Sequence, residues 1–343
     1  MLAEDKRNGA PKPARNLEQE VFKFISQDVR SVLKRLGPEK TAALEEIRLR
    51  ANKPLVVQNY SGDYFLSTDG RLTDQYGSGL YAVPQEEIFK TLELMSENSI
   101  YAYQDEIKSG FLTLKGGHRV GIAGKIVIEG GQVKNIKDIS SLNIRISREV
   151  PGCSAGVIKY LIKNSREVFN TLVVSPPQCG KTTMLRDMTR LLSDGIPEMN
   201  FKGVKIGVVD ERSEIAACYK GIPQNNVGVR TDVLDACPKS LGMAMLLRSM
   251  SPQVIVTDEI GGRGDKEAVM EVINAGVKLI TTAHGYNISE LKSRQEVLSL
   301  MEGRVFERYI VLSNRNGPGT VEEIIDGKDM SPLVKRKGDW HAV

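Results

Sequence analysis

The chain has 343 residues, of which 41% are hydrophobic, 26% charged and 6% aromatic. This composition excludes a disordered protein, a collagen-like fibre and a disulfide-rich mini-protein. The length exceeds what one hydrophobic core usually supports, so about two domains are expected. Lysine and arginine number 47 against 43 aspartates and glutamates, for a formal net charge of +4. A net charge this small does not indicate a nucleic-acid-binding protein.

The cysteines and the amino-terminal segment indicate in which cellular compartment the protein is expected. The four cysteines lie far apart without a C-x-x-C pair, which argues against a structural zinc site or a redox motif and favours a reducing compartment. Residues 1–16 carry charges and prolines but no apolar run, so we interpret them as a disordered leader or a tag remnant. No stretch approaches the ~18 consecutive apolar residues of a membrane span. We therefore predict a cytoplasmic protein without direct membrane insertion.

The first predicted elements follow one another from residue 17. Apolar residues recur at helical spacing from Leu17 to Leu36, which predicts a helix that ends before a Gly-Pro pair. Residues 45–57 alternate as a strand with a break at 52–54, residues 84–97 have a helical pattern, and residues 110–136 form short strands between glycines. These elements predict a small α+β domain over residues 17–138 and a linker at 139–154.

The pattern changes after Pro151 and Gly152. Nearly continuous apolar strands then alternate with helical segments; the strands are TLVVS, KIGVVD, QVIVTDEI, KLITTAH, RYIVLS and TVEEIID. Such strands are typical of a parallel sheet with helices on both faces. We therefore predict an α/β domain with a mainly parallel sheet over residues 155–330, followed by a tail at 331–343.

The strand TLVVS runs directly into a phosphate-binding motif. The motif has the pattern G-x-x-x-x-G-K-[ST], with serine in place of the first glycine, and a helical pattern follows it. In this context backbone N–H groups surround the phosphates of ATP, the lysine reaches the β- and γ-phosphates, and the following threonine ligates Mg²⁺. The predicted nucleotide-binding residues are Ser175, Pro176, Pro177, Gln178, Cys179, Gly180, Lys181, Thr182 and Thr183.

Polar residues end three further strands of the predicted sheet. Asp258 and Glu259 follow QVIVT, Glu211 follows KIGVVD, and His284 ends KLITTAH. Because ligands bind off the carboxyl ends of parallel strands, we expect all four residues near the phosphate loop. Asp258 is expected to hold a water of Mg²⁺, and either Glu259 or Glu211 to orient the attacking water. His284 either contacts the γ-phosphate or has a structural role.

The order of these motifs resembles the secretion-type ATPases that power type II and type IV secretion and pilus motion. The phosphate loop is followed by DERSEI, LLRSMSPQVIVTDEIGG and TTAHG. Within that family, EIRLR at 46–50, YAYQDEIKSGFLTLKGGHRVGIAG at 101–124 and SSLNIRISRE at 140–149 are similar to a branch that serves spore formation. The resemblance extends from about residue 20 to residue 326. It implies a RecA-like P-loop NTPase domain behind a smaller α+β domain.

The resemblance also implies an activity and a setting. Its members hydrolyse ATP as hexameric rings, and the sporulation branch works at the cytoplasmic, mother-cell side of a membrane channel to the forespore. Arginines of the amino-terminal domain or the linker reach the nucleotide in these rings. In this chain the candidates are Arg145, then Arg119 and Arg148, although a surface salt bridge is an equally good explanation for each arginine.

Two other functions are compatible with a phosphate loop. A RecA-like nucleic-acid motor would share the fold, but the low net charge and the lack of a basic stripe interleaved with aromatic residues argue against it. A scaffold that binds ATP without hydrolysing it is the second alternative. Its support is the departure from the motif at Ser175 and the glutamine at position 178.

Overall fold

The computed structural model describes residues 17–262 and 264–335, and the chain divides into two compact units between Ser147 and Arg148. The predicted leader at 1–16 and residues 336–343 of the predicted tail lie outside the described residues. Each unit buries apolar side chains of its own. In the described parts of the chain, no helix is long and apolar enough to cross a membrane.

The first unit is an antiparallel sheet with helices, as the α+β prediction required. Its elements are α1 (Leu17–Glu20), α2 (Gln27–Lys34), α3 (Pro38–Ala42), β1 (Glu46–Arg50), β2 (Val56–Asn59), β3 (Gly62–Leu66), β4 (Leu72–Thr73), α4 (Gln85–Met95), α5 (Gln104–Lys108), β5 (Phe111–Leu114), β6 (His118–Glu129) and β7 (Gln132–Arg145). The described strands pair in the order β4-β3-β2-β1-β7-β6-β5. Alternation along β1 buries Ile47 and Leu49 in the core and directs the intervening residues to the other face.

The helix predicted over residues 17–36 is interrupted. Ile25 has extended backbone angles (φ −102°, ψ 142°), and the N–H of Ser26 donates to the Thr91 hydroxyl at 3.1 Å instead of continuing a helix. Val21, Ile25 and Val29 are nevertheless fully buried. The apolar spacing therefore identified the buried side chains, but not the break that a contact with a distant threonine introduces.

The second unit is an α/β fold. Its elements are β8 (Ile162–Asn164), β9 (Glu167–Val168), β10 (Thr171–Ser175), α6 (Lys181–Asp194), β11 (Ile206–Asp210), β12 (Thr231–Asp235), α7 (Lys239–Ser249), β13 (Val254–Thr257), α8 (Asp265–Asn274), β14 (Lys278–His284), α9 (Ile288–Leu291), α10 (Gln295–Glu302), β15 (Arg308–Ser313), β16 (Thr320–Asp326) and β17 (Pro332–Lys335). The described strands of its main sheet follow the order β12-β11-β13-β14-β10-β15-β16-β17.

The strands from β12 to β15 are parallel, and β16 and β17 complete the sheet in antiparallel pairing. Leu172 and Val173, adjacent on β10, belong to separate apolar clusters, because successive side chains point to opposite faces of a sheet that is covered on both sides. The predicted mainly parallel α/β fold is confirmed. Since β10, β11, β13 and β14 run in the same direction, their carboxyl ends share one edge.

Two segments that the sequence did not assign to strands take part in the sheets. Residues 139–145, predicted as linker, are the last part of β7 and lie between β1 and β6. Residues 332–335, predicted as tail, form β17 beside β16. The predicted domain boundaries, at residues 17–138 and 155–330 with a linker at 139–154, stay a prediction.

Candidate nucleotide-binding site

The phosphate loop connects β10 to α6. Ser175 is the last residue of β10, is fully buried, and pairs in register with His284. The left-handed positions of the loop are instead Gln178 (φ 59°) and Gly180 (φ 80°). Serine is therefore acceptable where the motif has its first glycine, because this position does not adopt a positive φ. The loop leads into the first turn of α6, whose N–H groups have no partners within the helix.

A turn between β15 and β16 supports the phosphate loop from a distant part of the chain. The N–H of Gly319 donates to the carbonyl oxygen of Cys179 at 2.9 Å. A Cβ added at Gly180 would lie only 2.9 Å from the nitrogen of Gly319. Glycine at position 180 is therefore required by its backbone conformation and also by this close approach.

Lys181, the first residue of α6, has a defined environment. Its Nζ donates to the carbonyl oxygens of Ser175 at 3.1 Å and Pro176 at 3.2 Å. The same Nζ lies 2.8 Å from Nδ1 of His284, and Nε2 of His284 lies 2.8 Å from a carboxylate oxygen of Glu259. Burial lowers the pKa of Lys181, and the charge of Glu259 opposes this shift.

These contacts determine which nitrogen of His284 carries a proton. An ammonium group only donates, so Nδ1 accepts from Lys181 and Nε2 carries the proton that is donated to Glu259. His284 thereby connects the phosphate-loop lysine on α6 with the acidic residue that follows β13. The contact is possible because β14 lies between β10 and β13 in the sheet.

The second charged group of the site is centred on Lys239, the first residue of α7. Its side chain is 11% exposed, forms an ion pair with Glu211, and lies 3.5 Å from Oδ1 of Asp258. Burial acts to lower the pKa of Lys239, but the hydrogen bond to Glu211 and the charge of Asp258 outweigh burial and raise it. Burial raises the pKa of Asp258 to about 6, and Lys239 opposes this shift.

Asp210, the last residue of β11, has a different role from its neighbour Glu211. Its fully buried carboxylate accepts hydrogen bonds from the backbone N–H groups of Glu214, Ile215 and Ala216 at 2.8–3.2 Å. Asp210 thus fixes the turn that follows β11 and directs Glu211 toward Lys239.

Asp258 and Thr182, the residues predicted to hold Mg²⁺, lie directly after β13 and in the first turn of α6. Oδ1 of Asp258 is buried and has no hydrogen-bond partner among the described residues. The Lys239 ammonium, 3.5 Å away, is its nearest described cation, so this oxygen can still take a metal ion or a closer donor. Mg²⁺ typically takes one or two carboxylates together with phosphate oxygens and water. A donor set of Asp258, the Thr182 hydroxyl in the first turn of α6, and a nucleotide phosphate therefore fits Mg²⁺.

The three candidate arginines belong to different parts of the chain. Arg119 on β6 and Arg145 on β7 are register partners in the sheet of the first unit. The guanidinium of Arg119 lies 3.5 Å from the centre of the Phe111 ring, and Arg145 makes no ion pair with any residue that the structure describes. Arg148 begins the second unit, where its carbonyl oxygen accepts a hydrogen bond from Arg186 at 3.3 Å.

The structure thus brings together Lys181, His284 and Glu259 in one group and Glu211 and Asp258 in another. Sequence reasoning missed Lys239 and the support that Gly319 gives to the phosphate loop. One signal for Lys239 was available: a lysine directly after Pro238 at the start of a helical pattern, where the helix dipole disfavours a cation. Roles for all of these residues remain predictions.

The chain has the fold of the P-loop secretion ATPases. The Legionella pneumophila ATPase DotB matches with a TM-score of 0.53 and 14% identity over 83% of this chain and 78% of that protein. The pilus retraction motor PilT, solved with bound ADP, matches with a TM-score of 0.52 and 16% identity over 85% of this chain and 77% of that protein.

The particular family follows from sequence comparison. The chain belongs to the family described as sporulation stage III, protein AA, whose model matches residues 15–331. Stage III sporulation protein AA of Bacillus subtilis (strain 168) is 42% identical over 319 residues, which cover 93% of this chain and 98% of that protein. The predicted membership of the sporulation family is therefore confirmed.

Proposed function

We propose that this protein is an ATP-hydrolysing motor that forms a homo-oligomeric, hexameric ring at the cytoplasmic, mother-cell face of a channel to the forespore. The observation that carries the activity is the chain of contacts from Lys181 through His284 to Glu259, each at 2.8 Å. It connects the group that would bind the γ-phosphate to the group that would orient water. The names of the relative, a sporulation protein, and of the structural neighbours, an ATPase and a retraction motor, support the setting.

The phosphates are bound by the loop and the start of α6. N–H groups of the first helical turn and the positive end of the helix dipole attract the phosphate oxygens. Lys181 exchanges its contacts with the Ser175 and Pro176 carbonyls for the β- and γ-phosphates. Thr182 and Asp258 would hold Mg²⁺, which would neutralise charge on the phosphates during transfer.

Glu259 is the better supported of the two acidic candidates for orienting water. Its side chain is 30% exposed and its described partner is His284, which donates to one carboxylate oxygen and leaves the other available. Glu211 is instead ion-paired with Lys239. A carboxylate that is already bonded to a buried ammonium is a weaker acceptor for the proton of an attacking water.

The activity is tested by ATP binding and steady phosphate release with purified protein. Lys181→Ala is expected to abolish Mg²⁺-dependent ATP binding, because the ammonium supplies charge that neutral backbone amides lack. Glu259→Gln is expected to bind ATP and to hydrolyse it at least ~100-fold more slowly. If the Gln variant retained wild-type turnover, Glu211 would take the water-orienting role. A wild-type protein that bound ATP without releasing phosphate would be the scaffold alternative.

The arginines of the first unit support a ring in which one subunit completes the site of its neighbour. Arg119 and Arg145 lie directly opposite each other on β6 and β7, an arrangement of like charges that destabilises a sheet. Glu46, opposite Arg145 on β1, has its carboxylate engaged by Arg48. An exposed arginine placed beside a like charge fits a role toward a nucleotide phosphate. We propose that Arg145 acts in trans, with Arg119 second and Arg148 third.

A mixing experiment tests the trans role. Arg145→Ala is expected to lose most turnover, up to the ~10³–10⁵-fold that such arginines contribute elsewhere, while ATP affinity is retained. Mixing it with Glu259→Gln should partly restore turnover, because some interfaces then combine an intact Arg145 with an intact Glu259. Arg71→Ala, a matched change of an arginine whose side chain is 83% exposed in the same unit, should have no effect. No recovery in a mixture shown to co-assemble would refute the trans role.

A further inference from the structure

Lys239 is a buried cation between Glu211 and Asp258, and Asp258 is the carboxylate of the candidate metal site. The side chains of Lys239 and Asp258 are each 11% exposed, and the ammonium bonds Glu211 and lies 3.5 Å from Asp258. Lys239 also occupies the first position of α7, where the helix dipole opposes a positive charge. A buried ammonium at such a position is retained by the carboxylates that surround it.

The charged group around Lys239 includes four acidic residues, and two of them are already bonded to backbone N–H groups. Asp210 is saturated by backbone N–H groups of its own turn, and Asp265 accepts from the N–H groups of Gly261 and Gly262. The charges of Glu211 and Asp258 are therefore balanced mainly by Lys239. Without that ammonium, two carboxylates would face the place where the negatively charged phosphates of a nucleotide must bind.

We propose that Lys239 is the internal counter-ion of the magnesium site, and that its charge sets how strongly nucleotide binding depends on Mg²⁺. This inference rests on the proposed function. In the metal-free protein the ammonium offsets the repulsion between the phosphates and the two carboxylates, so ADP or ATP can bind without a metal. The same ammonium competes with Mg²⁺ for Asp258. Removing the ammonium should weaken nucleotide binding without metal and strengthen binding with Mg²⁺. Both effects increase the ratio of the affinity with Mg²⁺ to the affinity without it.

The measurement is the Kd of a fluorescent ADP analogue with excess Mg²⁺ and with excess EDTA. We expect Lys239→Gln to increase the ratio of the two affinities by about fivefold or more, and Lys239→Arg to leave the ratio near wild type. Glu211→Gln removes a negative charge from the same group and should decrease the ratio. Lys278→Gln is the matched control, since Lys278 also forms a partly buried ion pair, with Glu307 at 3.1 Å, but lies at the opposite end of β14 from His284.

The outcomes separate this inference from the proposed function. If the wild-type protein binds the analogue under neither condition, the proposed function fails and the inference fails with it. If wild type binds but Lys239→Gln leaves the ratio unchanged at wild-type thermal stability, only the role of Lys239 is overturned. Should Lys239→Gln fail to fold, the double variant Lys239→Gln/Glu211→Gln, which removes both charges of the ion pair, is compared with Glu211→Gln alone. A higher ratio in the double variant supports the role of Lys239, and an equal ratio overturns it.

Discussion

Replacing His284 with alanine tests the connection between the phosphate loop and the acidic residue after β13. The change removes the contact with Lys181 and the contact with Glu259, each 2.8 Å long. Hydrogen bonds to charged groups contribute ~1.5–3 kcal/mol when buried. His284 and Glu259 are each 30% exposed, so about 1–2 kcal/mol for each contact is the appropriate discounted value.

The two contacts together correspond to about 2–4 kcal/mol, or about 30- to 1,000-fold in turnover if they orient Glu259 in the transition state. Nucleotide affinity should change by less than about threefold, because Lys181 loses an acceptor that it would exchange for a phosphate oxygen in any case. Single-turnover hydrolysis and equilibrium binding of a fluorescent nucleotide measure the two quantities separately. Thermal unfolding of the same variant controls for a change in stability.

Combining the change with Glu259→Gln provides the decisive comparison. If His284 acts by orienting Glu259, the double variant should hydrolyse ATP no more slowly than Glu259→Gln alone, since the effects of groups that act as a unit are not additive. Wild-type turnover in His284→Ala, or a fully additive double variant, would refute the reasoning. Wild-type turnover would return His284 to the structural role that the sequence left open, whereas full additivity would indicate a separate contact, such as one with the γ-phosphate.

Three further predictions concern the phosphate loop, the pH dependence of stability and nucleic-acid binding. Gly180→Ala should lower the free energy of unfolding by about 1–3 kcal/mol and weaken nucleotide binding. Gly276 has a similar φ of 76° but no neighbour within 4 Å of an added Cβ, so Gly276→Ala should lose less stability in thermal unfolding. Burial acts to raise the pKa of Asp187, but hydrogen bonds from Ser154 and Gly152 and the contact with Arg190 outweigh it and lower the pKa. The stability that this carboxylate confers is therefore fully present above its pKa in the unfolded chain, about 3.9, and is lost as the pH falls through its lower pKa in the folded protein. The difference in Tm between wild type and Asp187→Asn should thus be full at pH 7 and shrink below about pH 4. Single-stranded DNA should show no salt-dependent retention of the protein, since the net charge is only +4; retention would favour a nucleic-acid motor.

Local features of the sequence were sufficient for the phosphate loop and for the direction of the sheet. The strand, loop and helix around Lys181 are contiguous, so their order could be read directly from residues 171–194. The parallel direction of β10, β11, β13 and β14 follows from apolar strands that alternate with helices. Direction alone was enough to predict that Glu211, Asp258, Glu259 and His284 lie along one edge.

Which of these side chains contact one another depends on the spatial order of the strands in the sheet. The order of the strands along the chain does not determine that spatial order. Because β14 inserts between β10 and β13, His284 contacts both Lys181 and Glu259. Lys239 meets Glu211 and Asp258 from the start of α7, and Gly319 reaches Cys179 from a turn some 140 residues later in the chain. Contacts of this kind join residues whose separation carries no periodic signal, so tertiary structure is needed to find them.

On the proposed mechanism, the observed contacts couple nucleotide binding to catalysis within one subunit. In the structure the Lys181 ammonium is shared among two carbonyl oxygens and Nδ1 of His284. A γ-phosphate that takes this ammonium leaves Nδ1 of His284 without its donor, while Nε2 still donates to Glu259. The position of the imidazole, and with it the orientation of Glu259, then depends on whether Lys181 is engaged by a phosphate. On the proposed mechanism, hydrolytic competence would be tied to an occupied phosphate loop through these three side chains, and the proposed arginine of a neighbouring subunit would serve the charge that develops in the transition state.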